Sequence, residues 1–381
     1  SLSSDPLPIL HFIIDQNIYG ITKKVFDKLI EVGDKHAIRY ALEVILTQNN
    51  KEISLLDNDN DIEPWTPLSD EFESRSHFAD SRWSWSEAMN IAAGLGDFDT
   101  VKLLHRSGIK CCTEGAMNGA AGMGRLDIIE WLHTHRTEGC NEYALIFAAS
   151  QQHLNIVQWL HDHYGLKCTR DGLVSAATNG DVDMVSYLIS IPMTLEFQTP
   201  SVDVVYQTAL DEAATNGHID VVKILSNYSA TTAAMDGAVR NGHFDMVQYL
   251  HTNRKEGCSG EALSDAIRLN RFKMLNYLVV NKCCHGEVNF KDSCIKAAGI
   301  NSIEMLSFCM NQVHGDMAYN LKQEMMFEAA KFGLLDIFKW LHETKGFGWS
   351  SVMQEVAETR GHENILRYIE QSLKMWSTFF T

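Results

Sequence analysis

Apolar and polar positions in this chain repeat as one short phrase. GDFDTVKLLH begins at Gly96, GRLDIIEWLH at Gly124, GDVDMVSYLI at Gly180, GHIDVVKILS at Gly217, GHFDMVQYLH at Gly242 and GLLDIFKWLH at Gly333. Four worn copies join them: QHLNIVQWLH at Gln152, NRFKMLNYLV at Asn270, NSIEMLSFCM at Asn301 and GHENILRYIE at Gly361. Successive copies are separated by 28, 28, 28, 37, 25, 28, 31, 32 and 28 residues. Inside each, Val or Ile and then an aromatic–Leu pair fall at i, i+3 and i+4, as in Ile128, Trp131 and Leu132, the spacing of a helix face turned to a core. An acid three residues after the glycine, Asp127 or Asp220, puts negative charge in the first turn, where the helix dipole favours it.

Upstream of each glycine an Ala-rich segment predicts another short helix. Alanine stands four residues before the glycine position at Ala92, Ala120, Ala148, Ala176, Ala213, Ala238 and Ala266, small enough for neighbouring helices to approach closely. The glycine, or Asn in the worn copies, is expected to supply the left-handed residue that ends this first helix. The unit is therefore a helix pair, and about ten units predict an all-α solenoid of stacked antiparallel pairs.

AATNGHIDVVKIL, Ala213 to Leu225, has the form Ala-Ala-x-x-Gly-His-x-Asp-x-Val-x-x-Leu and resembles the centre of the ankyrin repeat. The resemblance covers residues 86–370. It departs from that family in two places: the Thr-Pro-Leu-His opening is absent, and the usual unit is shortened by about five residues in the hairpin joining repeats. The chain is similar to the compact ankyrin variant of protists and large viruses. The resemblance implies a protein-binding scaffold, and the shortening weakens the expectation of recognition through long hairpin fingers.

The expected organisation is a helical cap over residues 1–50, an acidic insertion over 51–85, the repeat array over 86–370 and a tail over 371–381. The cap is expected to hold a degenerate repeat from Val25 to Leu46, within which GDKHAIRYAL, Gly33 to Leu42, aligns with GHFDMVQYLH. Residues 57–80 contain eight acids and one Arg, as expected of a solvated linker. A loop at 190–207, with Pro192 and Pro200, accounts for the longest spacing.

Composition narrows the function more than the fold. Of 381 residues, 45% are hydrophobic and 21% charged, as in a folded protein. The formal charge of -17 would repel a phosphate backbone, so nucleic acid is not an expected partner. No apolar run approaches the roughly 18 residues of a membrane span, and no basic-then-apolar leader opens the chain. It begins at Ser1, so a tag, an initiator methionine or a secretion signal is expected to have been removed.

Residues recurring at one repeat position are expected to be structural, which disposes of most chemical candidates. Gly-His-x-Asp recurs at Gly217 and Gly242 and reads as turn and cap, not as a catalytic pair. His105, His133, His161, His251 and His342 each follow the second-helix leucine, with His135 and His163 two residues further on in two repeats; all suit the negative end of a helix better than a metal. Cys112, Cys140, Cys168 and Cys258 lie sixteen residues after their repeat position, a slot Trp349 fills elsewhere, so it reads as apolar packing. The odd count of nine cysteines fits a reducing compartment, with one or two bridges still open. The run DNDNDIE, Asp57 to Glu63, starts like a calcium loop but has Ile62 at the sixth position and Leu68 at the twelfth. No phosphate loop or nucleophile elbow is present. The expectation is a non-enzyme without catalytic residues, metal or cofactor, monomeric, and either cytoplasmic or secreted and delivered as an effector into a host cell.

A protein partner is expected on the concave side, lined by first helices and inter-repeat turns. Just before the Ala-Ala core the residues vary freely: Ile146 and Phe147, Asp211 and Glu212, Asp236 and Gly237, Ser264 and Asp265, Phe327 and Glu328. Arg240, Arg268 and Lys331 follow it. This strip, acidic in the middle and basic toward the C-terminal side, is the expected recognition surface, weighed against a merely solvated face.

Overall fold

The computed structural model describes residues 88–106, 112–194, 201–284, 289–313 and 317–379. The cap, the acidic insertion and its calcium-like run lie outside them. The helices alternate, odd-numbered first and even-numbered second. They run α1 Ala88–Gly94, α2 Phe98–Arg106, α3 Gly115–Gly122, α4 Leu126–His135, α5 Glu142–Ser150, α6 Leu154–Tyr164, α7 Arg170–Asn179, α8 Val182–Ser190 and α9 Val202–Thr215. The series continues with α10 Ile219–Ile224, α11 Thr232–Asn241, α12 Phe244–Asn253, α13 Gly260–Arg268, α14 Phe272–Val280, α15 Phe290–Ala298 and α16 Ile303–Asn311. It ends with α17 Tyr319–Lys331, α18 Leu335–Lys339 with a π turn at Trp340–Thr344, α19 Ser351–Thr359 and α20 Glu363–Phe379. No strand occurs among the described residues, only the isolated bridges Cys168 to Met193 and Cys258 to Cys284. The chain divides into two compact units between Val205 and Tyr206, inside α9.

Within each unit first helices pack on first helices, and each packs on its own second helix. Alanine makes this possible. The residue four before the turn is 0% exposed in all ten copies, from Ala92 to Ala357, and the next residue is buried in most of them. After it the chain reverses through a repeated pair of hydrogen bonds. At Gly217 the N–H of Gly217 reaches Ala214 O at 3.1 Å and that of His218 reaches Ala213 O at 2.9 Å, with Gly217 at φ +81. These are the two bonds of a Schellman turn, which satisfies carbonyls the helix end would otherwise leave bare. Gln152 and Asn270 hold the same left-handed conformation at φ 64 and 52 despite their side chains. Asn301 does not: it is missing from the positive-φ residues, and Ser302 N instead bonds Ile300 O at 2.7 Å.

Three sequence expectations need correcting in detail. The core stripe of α4 is Ile128, Ile129 and Leu132; Trp131 is only half-buried and lies edge-on to Phe98 and His105 of the preceding repeat. The interruption expected over 190–207 is shorter, because Val202 to Gln207 already belong to α9. The segment after Gln371 continues α20 as helix as far as Phe379. One member of the cysteine slot is also not simply packed: Cys258 forms a disulfide with Cys284, while Cys112, Cys140 and Cys168 stay free.

Candidate protein-binding surface

The first helices and the turns after them present the variable positions, and their polar residues divide into those tied to the next repeat and those facing outward. Six residues before the turn, Asn90 donates to Thr113 Oγ1 at 2.6 Å and accepts from Thr113 N at 3.1 Å. Asn118 makes the same two-way contact with Asn141, at 2.8 and 3.3 Å. Asp211 accepts from Thr231 N and Oγ1, and Asp236 accepts from Ser259 N at 2.8 Å. Thr113 precedes the helical turn that starts α3, whereas Asn141, Thr231 and Ser259 are the caps of α5, α11 and α13. These are struts that hold each new helix start against the previous helix. Burial raises the pKa of both Asp211 and Asp236. Asp236 is 8% exposed, so the acidic middle of the expected strip is largely turned inward.

A second strut uses the residue just before the turn. Asn179 donates to Ser150 O at 2.7 Å and Asn241 to Thr215 O at 2.8 Å. In four copies where that position is apolar the side chain stands in solvent: Leu95 is 43% exposed, Met123 51%, Leu269 37% and Phe332 50%, while Ile300 is half-buried. The sequence carried this signal in the alternation of Asn with Leu, Met and Phe at one repeat position, and the expected site missed it.

In the first unit the first helices approach closely at glycines. A Cβ on Gly119 would stand 2.9 Å from Gly94 Cα, so α1 and α3 touch backbone to backbone, and one on Gly122 would stand 3.2 Å from Phe147 Cβ. Phe147 is exposed, 5.9 Å ring to ring from Tyr143, which is 54% exposed; Ile146 beside it is half-buried. Leu95 and Met123 thus stand exposed at equivalent turn positions of successive repeats, and Tyr143 and Phe147 form an exposed aromatic pair on α5.

In the second unit Arg240 and Arg268 both bond Asp265, at 2.7 and 2.9 Å, and Lys296 donates to Ser264 Oγ at 3.0 Å. Lys331 pairs with Glu328 at 2.8 Å and lies over the Phe332 ring. Glu212 and Phe327 are half-buried. Gly237 is sealed against Thr215, where a Cβ would meet Oγ1 at 2.0 Å.

The histidines that follow the second-helix leucine lie in the last turns of those helices. His161 bonds Leu166 O at 2.7 Å and His342 bonds Phe347 O at 2.9 Å, folding the chain back over the helix end. His135 and His163 stack on Trp131 and Trp159. Among the described residues no group of three His, Cys, Asp or Glu side chains is placed to hold a metal, and no helix is long and apolar enough to cross a membrane.

Family models of ankyrin repeats match residues 120–161 and 145–236. Residues 120–236 are ankyrin repeats. The same helix pair extends on either side of the matched stretch, from α1 to α20. No curated protein matches the chain. Ankyrin repeats are generally protein–protein interaction modules, and proteins built from them are typically non-enzymatic scaffolds.

Proposed function

We propose that this chain is a scaffold that binds a partner protein or peptide on the face made by its first helices and the turns after them. The exposed apolar side chains Leu95, Met123, Tyr143 and Phe147 on these helices and turns carry this reading. Four large apolar side chains left exposed on one set of elements make poor use of solvent and suit a contact surface. The repeat position supports it as well, since other copies place a hydrogen-bonding Asn where Leu95 and Met123 stand. The test is capture of partners by the full chain, compared with a Met123→Asp/Phe147→Asp variant. Both residues are exposed, so the variant should keep the helical circular dichroism and melting temperature of the parent while losing a saturable partner. A variant that folds and retains every partner would refute the reading.

A further inference from the structure

On a chain whose formal charge is -17, three cations converge on neighbouring residues of one first helix. Asp265 in α13 sits low, with its side chain 14% exposed, and gives one oxygen to each of two arginines. Arg240 arrives from α11 and Arg268 from the next turn of α13; their side chains are 50% and 63% exposed. Lys296, exposed on α15, leans onto Ser264. Two further acids lie nearby: Glu261, 4.0 Å from Arg240 and 82% exposed, and the buried Asp236, whose charge also acts on Arg240. Each guanidinium gives Asp265 a single nitrogen and has further N–H groups to offer. Leu269, 37% exposed, follows Arg268 directly.

We propose that Arg240, Arg268 and Lys296 form a seat for an acidic peptide segment of a partner protein, in which Asp265 holds the two guanidiniums in place and competes with the partner's carboxylate. This rests on the proposed binding role of the first-helix face and adds the chemistry of what is bound there. Charge complementarity supports it: both guanidiniums and Lys296 face outward, and the carboxylate between the guanidiniums is the lower-lying group. The overall negative charge disfavours a nucleic acid, whose phosphates would be repelled by the rest of the chain, whereas a short segment need engage only this spot. Leu269 favours a segment in which an apolar residue neighbours the acids.

The experiment is an anisotropy titration of the full chain with a fluorescein-labelled peptide of glutamates and one leucine. A saturable rise is expected, absent for a glycine–serine peptide. Asp265→Asn should bind about three- to fivefold tighter because the internal competitor is gone, and Arg240→Gln/Arg268→Gln about tenfold weaker. A merely structural Asp265 would give no gain on neutralisation. The proposal is overturned if Asp265→Asn binds no more tightly, if the double Gln variant binds as the parent does, or if single-stranded oligothymidylate displaces the peptide. A chain that ignores the glutamate peptide yet loses a captured partner on Met123→Asp/Phe147→Asp keeps the proposed function and loses this inference alone.

Discussion

Asp211 accepts both the backbone N–H and the hydroxyl of Thr231, at 2.9 and 2.7 Å, and so fixes the start of α11 from the preceding repeat. Asp211→Ala leaves two donors without this partner and should lower stability by about 1–3 kcal/mol, while Asp211→Asn, which can still accept one bond, should cost less. Urea unfolding followed by circular dichroism measures both. Partner affinity corrected for folded fraction should be unchanged, because this side chain is committed to the repeat interface.

Gln152 occupies a left-handed position, φ 64, that most copies give to glycine. Gln152→Gly should raise stability by about 1 kcal/mol by relieving the Cβ conflict of that conformation. Gly217→Ala should do the reverse, by about 1–2 kcal/mol: it adds a Cβ at φ +81 and 2.6 Å from the His243 ring. Paired thermal melts decide whether the two changes have opposite signs.

His105 gives the array a pH dependence of defined sign. Burial, helped by the charge of Arg136, lowers its pKa from 6.5 to about 4, and its Nδ1 is buried without a hydrogen-bond partner. The unfolded chain therefore takes up a proton near pH 6.5 that the folded chain accepts only near 4. Stability contributed by the neutral ring is complete above 6.5, falls as the pH drops from 6.5 to 4, and falls no further below. His105→Gln should flatten the pH profile of the melting temperature within that window.

Buried thiols should be inert in the folded chain. Burial pushes Cys168, Cys294 and Cys309 up to about 12, so at about pH 8 almost none of each is thiolate. Mass spectrometry after iodoacetamide treatment should find them unmodified until urea is added. Cys258 and Cys284 should react only after urea and a reductant together.

The helix pair, the buried alanines and the turn were legible because the same steric demands recur in every repeat. Asn301 escaped because its neighbours, not its identity, set its backbone: the first helix there ends at Ala298, and the chain leaves through Gly299 and Ile300. Trp131 was assigned to the core by spacing, but two small stacked helices bury Ile128, Ile129 and Leu132 and leave the larger ring to the groove beside the preceding repeat. The variable strip is legible in the sequence as variation, and variation alone does not separate a strut from a contact residue. Asp211 and Asp236 are polar because a helix cap in the next repeat needs an acceptor, a partnership visible only when residues 20 and 23 positions apart are read together.

Hydroxyl-radical footprinting of the chain with and without a captured partner tests the binding face most directly. Protection of Met123, Tyr143 and Phe147 with unchanged reactivity at Trp131 and Trp159 is the predicted result. Protection of the two tryptophans with Met123 as reactive as before would place the partner on the second helices and contradict the account.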